Sequence, residues 1–464
     1  MNARIFREYS QYSFEELQEG FGVSEEKLLD IIKTLSYMNI ANKKKGTKYD
    51  IERDELQDFE SVELPDEKED YYYFRFVGIL MIEDIYLIIY PKYLSFENIC
   101  KDKDYKKFKQ VIDVIKKHNN RVDYNKSIDI EDGDNFNLLS LALSMIDSYN
   151  EHGLYITEND IIEENGEGEI LWEMTINNKL PYFSKNKPIY FNLYTSNTIN
   201  DNNNYFMRLH AFVLTEICNN LLDILNILDI YPINISNEKL ENFGSDDYII
   251  YRINQELSRQ YVTYRVDILK AIKSYILNKN NRYTTNNISY VGSNVFYKVW
   301  EEVCKVYKND CLETKISDLN LSFKENKDDS LTLKGVIEKP KWLHNDSNKF
   351  HSAKKSLEPD IISIEKKEMS IYDAKYYNII LNEKKVSQQP GIESITKQYL
   401  YQLAYKDFIK ENELIFRKNA FLFPTELNEE LSIGYAKLDM FKDLTDIELI
   451  MLPCTKVFDY YLLS

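Results

Sequence analysis

The chain has 464 residues, 44% of them hydrophobic and 29% charged, which suits two or three globular domains with sizeable cores. Its 76 acidic and 58 basic side chains leave a net charge of −18. That excludes a protein that coats nucleic acid or anionic membrane with its whole surface, but not one with a local basic site.

Five scattered cysteines form no CxxC pair, so neither a zinc cluster nor a disulfide framework is expected. The polar, mixed-charge start has no signal-peptide pattern, and the apolar runs are broken by acids. A cytoplasmic protein without a membrane span is the expectation.

Residues 1–60 are spaced as a winged-helix-like module. Phe14, Leu17 and Phe21 mark one helix face, and Ser24 is placed to cap a second helix that carries Leu28, Ile31, Ile32 and Leu35. Ile40 to Ile51 predicts a basic hairpin with Lys43, Lys44 and Lys45 at its turn, a candidate DNA contact. Against this, Glu25, Glu26 and Asp30 sit near the end of the helix that would enter a groove, so a protein-contact role stands beside DNA binding.

Residues 61–284 predict a β-hairpin followed by a mainly helical region that contacts a partner or DNA. Tyr71 to Ile79 and Ile85 to Tyr90 form the hairpin, with Glu83-Asp84 at its turn. Helices follow over 96–118, 136–149, 205–228 and 248–277. Trp172 and Thr175 read as residues of a buried core strand, with a partner-contact element as the other reading.

From residue 285 to 464 the pattern alternates helix and strand, giving the whole chain a mixed α/β class. Phe296, Val299, Trp300 and Val303 mark an amphipathic helix. Leu331, Leu333 and Val336 suggest a strand, as do 360–364, 369–376 and 419–423, with a helix over 392–408.

The chemistry concentrates at Pro359-Asp360 and Asp373-Ala374-Lys375. Asp373 and Lys375 lie two apart on a strand, hence on one face, and Asp360 opens the neighbouring strand. Carboxylates converging on Mg²⁺ with one cation beside the attacking water make a phosphodiester nuclease site. Lys375 would lower the water's pKa or stabilise the developing phosphorane charge.

Acid–lysine neighbours are common in this chain, and Pro65-Asp66 repeats the first dipeptide in a polar run. Only at 359–375 are the acids embedded in apolar strand residues, Ile361-Ile362 and Ile371-Tyr372. Gln398 and Gln402, one turn apart on the following helix, could present an amide to the metal-bound water or a phosphate. Glu301 is a candidate third metal ligand. Between residues 334 and 358, six lysines face three acids, and Lys354 and Lys355 are candidate backbone contacts beside the site.

The Pro-Asp…Asp-x-Lys pattern with its trailing glutamine helix resembles the PD-(D/E)xK nuclease superfamily. Phe76-Val77-Gly78, Pro91-Lys92-Tyr93, Gly166-Glu167-Gly168-Glu169, Trp300-Glu301 and Tyr401-Gln402-Leu403 further resemble the LlaJI-type restriction endonucleases, relatives of McrC, over residues 70–425. The resemblance implies a restriction-endonuclease-like C-terminal core and a restriction or phage-defence nuclease subunit. It also implies Mg²⁺-dependent DNA cleavage and a McrB-like AAA+ GTPase partner.

Carried over by residue, Asp360, Asp373 and Lys375 take the catalytic positions and Gln402 the helix glutamine, with Glu301 as helix acid. One such site cuts one strand, so a homodimer is expected for double-strand breaks. No GxxxxGK[ST] occurs, which leaves nucleotide hydrolysis to a partner. The alternative is a non-catalytic adaptor that binds DNA or an AAA+ protein and keeps a nuclease-like domain for structure.

Overall fold

The computed structural model describes residues 4–46, 69–82, 85–101, 105–122, 137–156, 158–200, 204–279, 288–324, 330–344 and 349–464. Contacts divide it into two compact units, Met1–Tyr124 with Tyr290–Ser464, and Asn125–Ser289. Boundaries at 60 and 284 divide the chain differently, because the N-terminal segment is tied into the C-terminal part. The Arg4–Arg7 strand pairs in parallel with Ile85–Tyr90, and the Lys106–Val122 helix lends Val111, Val114 and Ile115 to the same core as Trp300 and Phe458.

In the first unit, two short helices open the chain. Ser13 caps Phe14–Phe21 in a full capping box with Glu16, a signal the sequence carries openly. Ser24 stands at the N-cap of Glu25–Tyr37 but its side chain makes no capping hydrogen bond.

The expected basic hairpin differs. Lys43, Lys44 and Lys45 lie within the Ala41–Gly46 strand and not at a turn, and the return strand is Glu69–Phe74. The rest of the expected hairpin, residues 47–51, lies outside the described residues. The run 71–79 is likewise two strands in two sheets, because the chain leaves Glu69–Phe74 and starts Val77–Ile82 in the four-stranded sheet. There Gly78, at φ +148°, lies so close to Val291 and Gly292 that a Cβ would stand 2.2 Å from the Val291 carbonyl oxygen. Only glycine fits that approach.

A five-stranded mixed sheet follows, in the order Ile361–Glu365, Glu368–Ala374, Ile415–Thr425, Ile447–Pro453, Leu431–Ala436. The first two strands are antiparallel and joined by Lys366-Lys367, both in the left-handed region at φ 48° and 67°, the twist-matched form of a two-residue turn. The second and third are parallel and linked through the Ile392–Ala404 helix.

Period-two alternation assigns the faces. Ile361, Tyr372, Ala420 and Leu422 meet the helices Phe296–Tyr307 and Cys454–Leu463 on one side. On the other, Ile362 and Ile371 pack with Tyr401, Tyr405 and Phe408, while Phe421 and Phe423 pack with Tyr399. The sheet is thus covered on both faces around Ile361, Tyr372 and Ala420. The expected strand through Leu333 and Val336 is a 3-10 turn instead, Leu333–Val336, with both side chains still buried. Gly335 and the absence of alternation favour the turn.

The second unit is mainly helical, with Leu138–His152, Tyr205–Asn220, Asp246–Leu257 and Thr263–Asn278. It also holds a three-stranded sheet of Glu158–Glu164, Tyr194–Asn200 and Glu169–Ile170. Trp172 does not sit in a core strand. It begins the Trp172–Asn178 helix and is 55% exposed. Only Thr175 is buried there, its hydroxyl oxygen accepting from the Tyr194 amide at 2.9 Å.

No described helix is long and apolar enough to cross a membrane. Cys218, Cys304, Cys311 and Cys454 are free and buried.

Candidate active site

Asp360 precedes the Ile361–Glu365 strand, and Asp373 lies at the far end of its antiparallel neighbour, so the hairpin register brings the two together. Their side chains are hydrogen-bonded to each other, and the Ala374 amide donates to Asp360 Oδ2 at 3.0 Å. Two residues on from Asp373, Lys375 Nζ stands 2.9 Å from Asp373 Oδ2, both side chains mostly buried. Lys375 lies just past the strand, which ends at Ala374, yet its side chain meets that of Asp373. Lys375 is anchored by its amide to the Leu422 carbonyl at 2.9 Å, and its ammonium lies 5.9 Å from the centre of the Phe421 ring.

Burial and the neighbouring Asp373 charge push Asp360 up to about 9, with Glu301 adding to the rise and Lys375 opposing it. A carboxylate at this depth beside another keeps a proton between them at neutral pH. Burial works against the charge on Lys375, but Asp373 and Asp360 hold it above the ordinary lysine range, so it stays an ammonium.

A cleft of about 890 Å³ opens onto Asp360. Its walls include Glu301, Lys305, Asp310, Lys355, Lys397 and Tyr401. Asp310 is raised by burial while accepting the Ile362 amide at 2.9 Å and the Leu312 amide at 3.1 Å. It fixes the start of the Asp360 strand.

The structure puts the two expected auxiliary residues elsewhere. Gln402 faces Thr445: its Nε2 donates to Thr445 Oγ1 at 3.3 Å and its Oε1 accepts the Thr445 amide at 3.2 Å. Gln398 is wholly buried, donating to the Ala420 carbonyl at 3.5 Å. The helix residues on the cleft are Lys397 and Tyr401, one turn apart.

Tyr401 donates to the Glu358 carbonyl at 2.9 Å, and burial together with the Asp373 and Asp360 charges raises its pKa. Counting turns from Gln398 selects 402; the contact is made by 401, because the helix rolls its glutamines onto the sheet and the Thr445 loop. Glu301 lies on the cleft, but its carboxylate is held by Lys305 at 2.7 Å. It reaches Asp360 through its charge.

Lys355 and Lys354 are exposed, and Lys355 lines the cleft. Lys43 is paired with Asp70 at 2.8 Å and lies 5.5 Å from the Tyr72 ring centre, which leaves it less available to phosphate than the sequence suggests.

Behind the site runs a buried polar cluster that sequence reasoning missed. Tyr376, next to Lys375, donates to Glu8 Oε2 at 2.5 Å. Glu8 also accepts the Lys92 amide at 3.2 Å, and the Lys92 carbonyl accepts from Asn378 at 2.7 Å. Lys92 Nζ lies 4.6 Å and 4.8 Å from the ring centres of Tyr9 and Tyr376. Glu8, Lys92 and Tyr376 are all buried. Only the Pro91-Lys92-Tyr93 motif signalled it, and without the fold nothing linked that motif to residue 376.

Among the described residues no three His, Cys, Asp or Glu side chains gather closely enough to hold a metal ion by themselves. The Asp360–Asp373 pair fits a hard dication nonetheless. It offers carboxylate oxygens only, and its two acids, Asp373 buried and Asp360 half-buried on the cleft, are held together where a cation relieves their repulsion. Mg²⁺ keeps several waters and needs few protein ligands.

The fold is a mixed α/β one in which two neighbouring acids stand at the end of a sheet covered on both faces, with Asp360 on a cleft. Residues 76–455 match the model of the LlaJI restriction endonuclease family. The chain belongs to that family.

It is 28% identical over 401 residues, 84% of this chain and 80% of the other, to the type II restriction enzyme BsuMI component YdjA of Bacillus subtilis (strain 168). Among solved structures it aligns with a half-complex of the Thermococcus gammatolerans McrB AAA+ hexamers with bound McrC. That match has 12% identity and TM-score 0.39, covering 100% of this chain and 99% of that one. A second match is the McrBC complex of the same organism, at 13% identity and TM-score 0.24, covering 65% and 86%. Both superpositions are too loose to define a shared fold.

Proposed function

We propose that this restriction-family protein is the nuclease subunit of its system, hydrolysing DNA phosphodiester bonds with Mg²⁺ at Asp360, Asp373 and Lys375. The observation that carries this reading is the convergence of these three side chains, with Asp360 among them lining an open cleft. The antiparallel hairpin, the helix crossover and the parallel third strand support a PD-(D/E)xK type of core.

In this reading Asp360 and Asp373 hold the cation, which when bound supplies Lewis-acid polarisation of the phosphate. Lys375, kept charged by Asp373, orients the attacking water and stabilises the negative charge that grows on the phosphorane oxygens. Tyr401 and Lys397 line the wall past which the DNA backbone runs. Lys355 and Lys354 meet its phosphates at the rim.

A single site cuts one strand, so double-strand cleavage calls for a homodimer. The chain has no P-loop, so DNA translocation would come from a McrB-like AAA+ GTPase partner.

The test is plasmid nicking by purified protein, alone and with a McrB-like AAA+ partner. Cleavage that needs Mg²⁺, stops with EDTA and is lost in Lys375→Ala supports the nuclease. Intact DNA with wild-type protein and its motor supports the non-catalytic adaptor instead.

A further inference from the structure

Just upstream of Asp360 the chain makes a two-stranded antiparallel hairpin, Lys341–Leu343 against Phe350–Ser352, with Trp342 opposite His351 and Leu343 opposite Phe350. All six residues are exposed, including Trp342 at 69%, Leu343 at 51% and Phe350 at 65%. Alternation puts Trp342 and His351 on one face and Leu343 and Phe350 on the other, so both faces carry apolar side chains and neither covers a core. A lone two-stranded hairpin is marginal in water. This one is fastened at its base, where the Ala353 amide donates to the Pro340 carbonyl at 2.8 Å and Ser356 Oγ donates to the Glu338 carbonyl at 2.7 Å.

Charge says what covers it. Residues 339 to 355 hold five lysines, Lys339, Lys341, Lys349, Lys354 and Lys355, against one acid, Asp346, in a protein of net charge −18. Just before the hairpin, Glu338 lies 3.8 Å from Lys341 in an exposed pair. The descending end of the hairpin runs through Lys355 and Ser356 into the wall of the Asp360 cleft. A two-stranded ribbon has the width of the DNA major groove.

We infer that this hairpin is a duplex-DNA arm: it enters the major groove beside the scissile phosphate, its lysines on the phosphates and Trp342 against base edges. The inference rests on the nuclease reading, and its occupant is duplex DNA, not a second protein copy.

The full chain is tested in an Asp373→Asn background without Mg²⁺, so that binding is read free of cleavage. The probe is a fluorescein-labelled random-sequence duplex, titrated over a salt series. Lys341→Gln, Lys349→Gln, Lys354→Gln and Lys355→Gln together are expected to lower the slope of log K against log salt by about 3, as loss of up to four phosphate contacts would. In a Trp172→Phe form, whose other tryptophan Trp300 is buried, duplex is expected to quench Trp342 fluorescence.

An unchanged slope with unquenched Trp342 overturns the arm. So does a loss of dimer mass in the hairpin variant with its salt slope intact, since the hairpin would then bind a second copy. The exposed positions should leave the melting temperature where it was, which keeps the result interpretable. Hairpin-dependent binding by a wild type that never cleaves would sink the nuclease reading and leave the arm standing; cleavage with hairpin-independent binding would do the reverse.

Discussion

Lys375 and the hairpin lysines lie within forty residues of each other and are used in opposite ways. Lys375 is mostly buried, held at 2.9 Å by one carboxylate and fixed by its own amide. Lys354 and Lys355 are exposed, just past a ribbon whose described residues are all exposed. A buried, paired charge is committed to one place and one partner, so its loss leaves the partner uncompensated. Exposed cations act together through a field that salt screens. The first kind suits chemistry at a single atom, the second a polyanion of varying sequence.

Breaking the buried side should give the largest effect. Asp360→Asn keeps the shape and the acceptor for Ala374 but ends the contest between two acids. Cleavage is expected to fall at least about a hundredfold, as for loss of a group that organises transition-state charge, while the melting temperature holds or rises. A fall in both, by nicking rate and calorimetry, would mean that Asp360 serves the fold instead.

Next is the polar cluster behind Lys375. Glu8→Ala takes the acceptor from the buried Tyr376 hydroxyl and one of two from the Lys92 amide, which keeps the Tyr376 oxygen at 3.3 Å, at a cost of about 1–3 kcal/mol for the hydroxyl. Urea unfolding reads the loss, and Glu8→Gln should recover part of it. An unchanged midpoint would show that water takes over the hydroxyl.

Gln402→Ala sharpens the comparison from the other direction. It removes two hydrogen bonds to Thr445, about 1 kcal/mol apiece, and should leave the cleavage rate of the folded protein within about twofold. A hundredfold loss at unchanged stability would return Gln402 to the site.

The smallest effect lies in the helical unit, where a buried titratable group has no catalytic task. Burial lowers His210 to about 4, and its Nδ1 accepts the Tyr155 amide at 3.1 Å. The unfolded chain takes up that proton near 6.5. Stability is therefore full above about 6.5, falls as pH drops through the window below it, and the loss is complete below about 4. Denaturant midpoints of His210→Gln and wild type across pH 4 to 7 should converge toward the acid end; parallel curves would contradict the buried neutral imidazole.

The sequence disclosed the Asp360, Asp373 and Lys375 geometry because strand period, a two-residue turn and apolar flanks are all local. It also disclosed the amphipathic helix around Trp300 and the helical middle. Local reasoning failed wherever a non-local partner decided. Lys43 looked free for phosphate until Asp70 appeared across the strand pair. Gln402 stood at the right spacing, but the roll of its helix against Thr445 is set by tertiary packing. Trp172 looked like core since its type favours burial, yet it starts an exposed helix. Gly78 and Gly168 were visible as motif letters, and only the fold explains them: Gly168 at φ +115° has its Cβ position 2.1 Å from the Ser196 carbonyl oxygen. Glu8 is 368 residues from Tyr376, a separation that no periodicity reaches.

The central claim is that Asp360, Asp373 and Lys375 cut DNA. The most direct measurement is the single-turnover nicking rate of supercoiled plasmid by wild type and Lys375→Ala, each with the motor partner, titrated with Mg²⁺. The account predicts cleavage by wild type that rises with Mg²⁺ and vanishes with EDTA, and a rate at least about a hundredfold lower in Lys375→Ala at every Mg²⁺ concentration. Equal rates for the two proteins, or wild-type cleavage that survives EDTA, would contradict it.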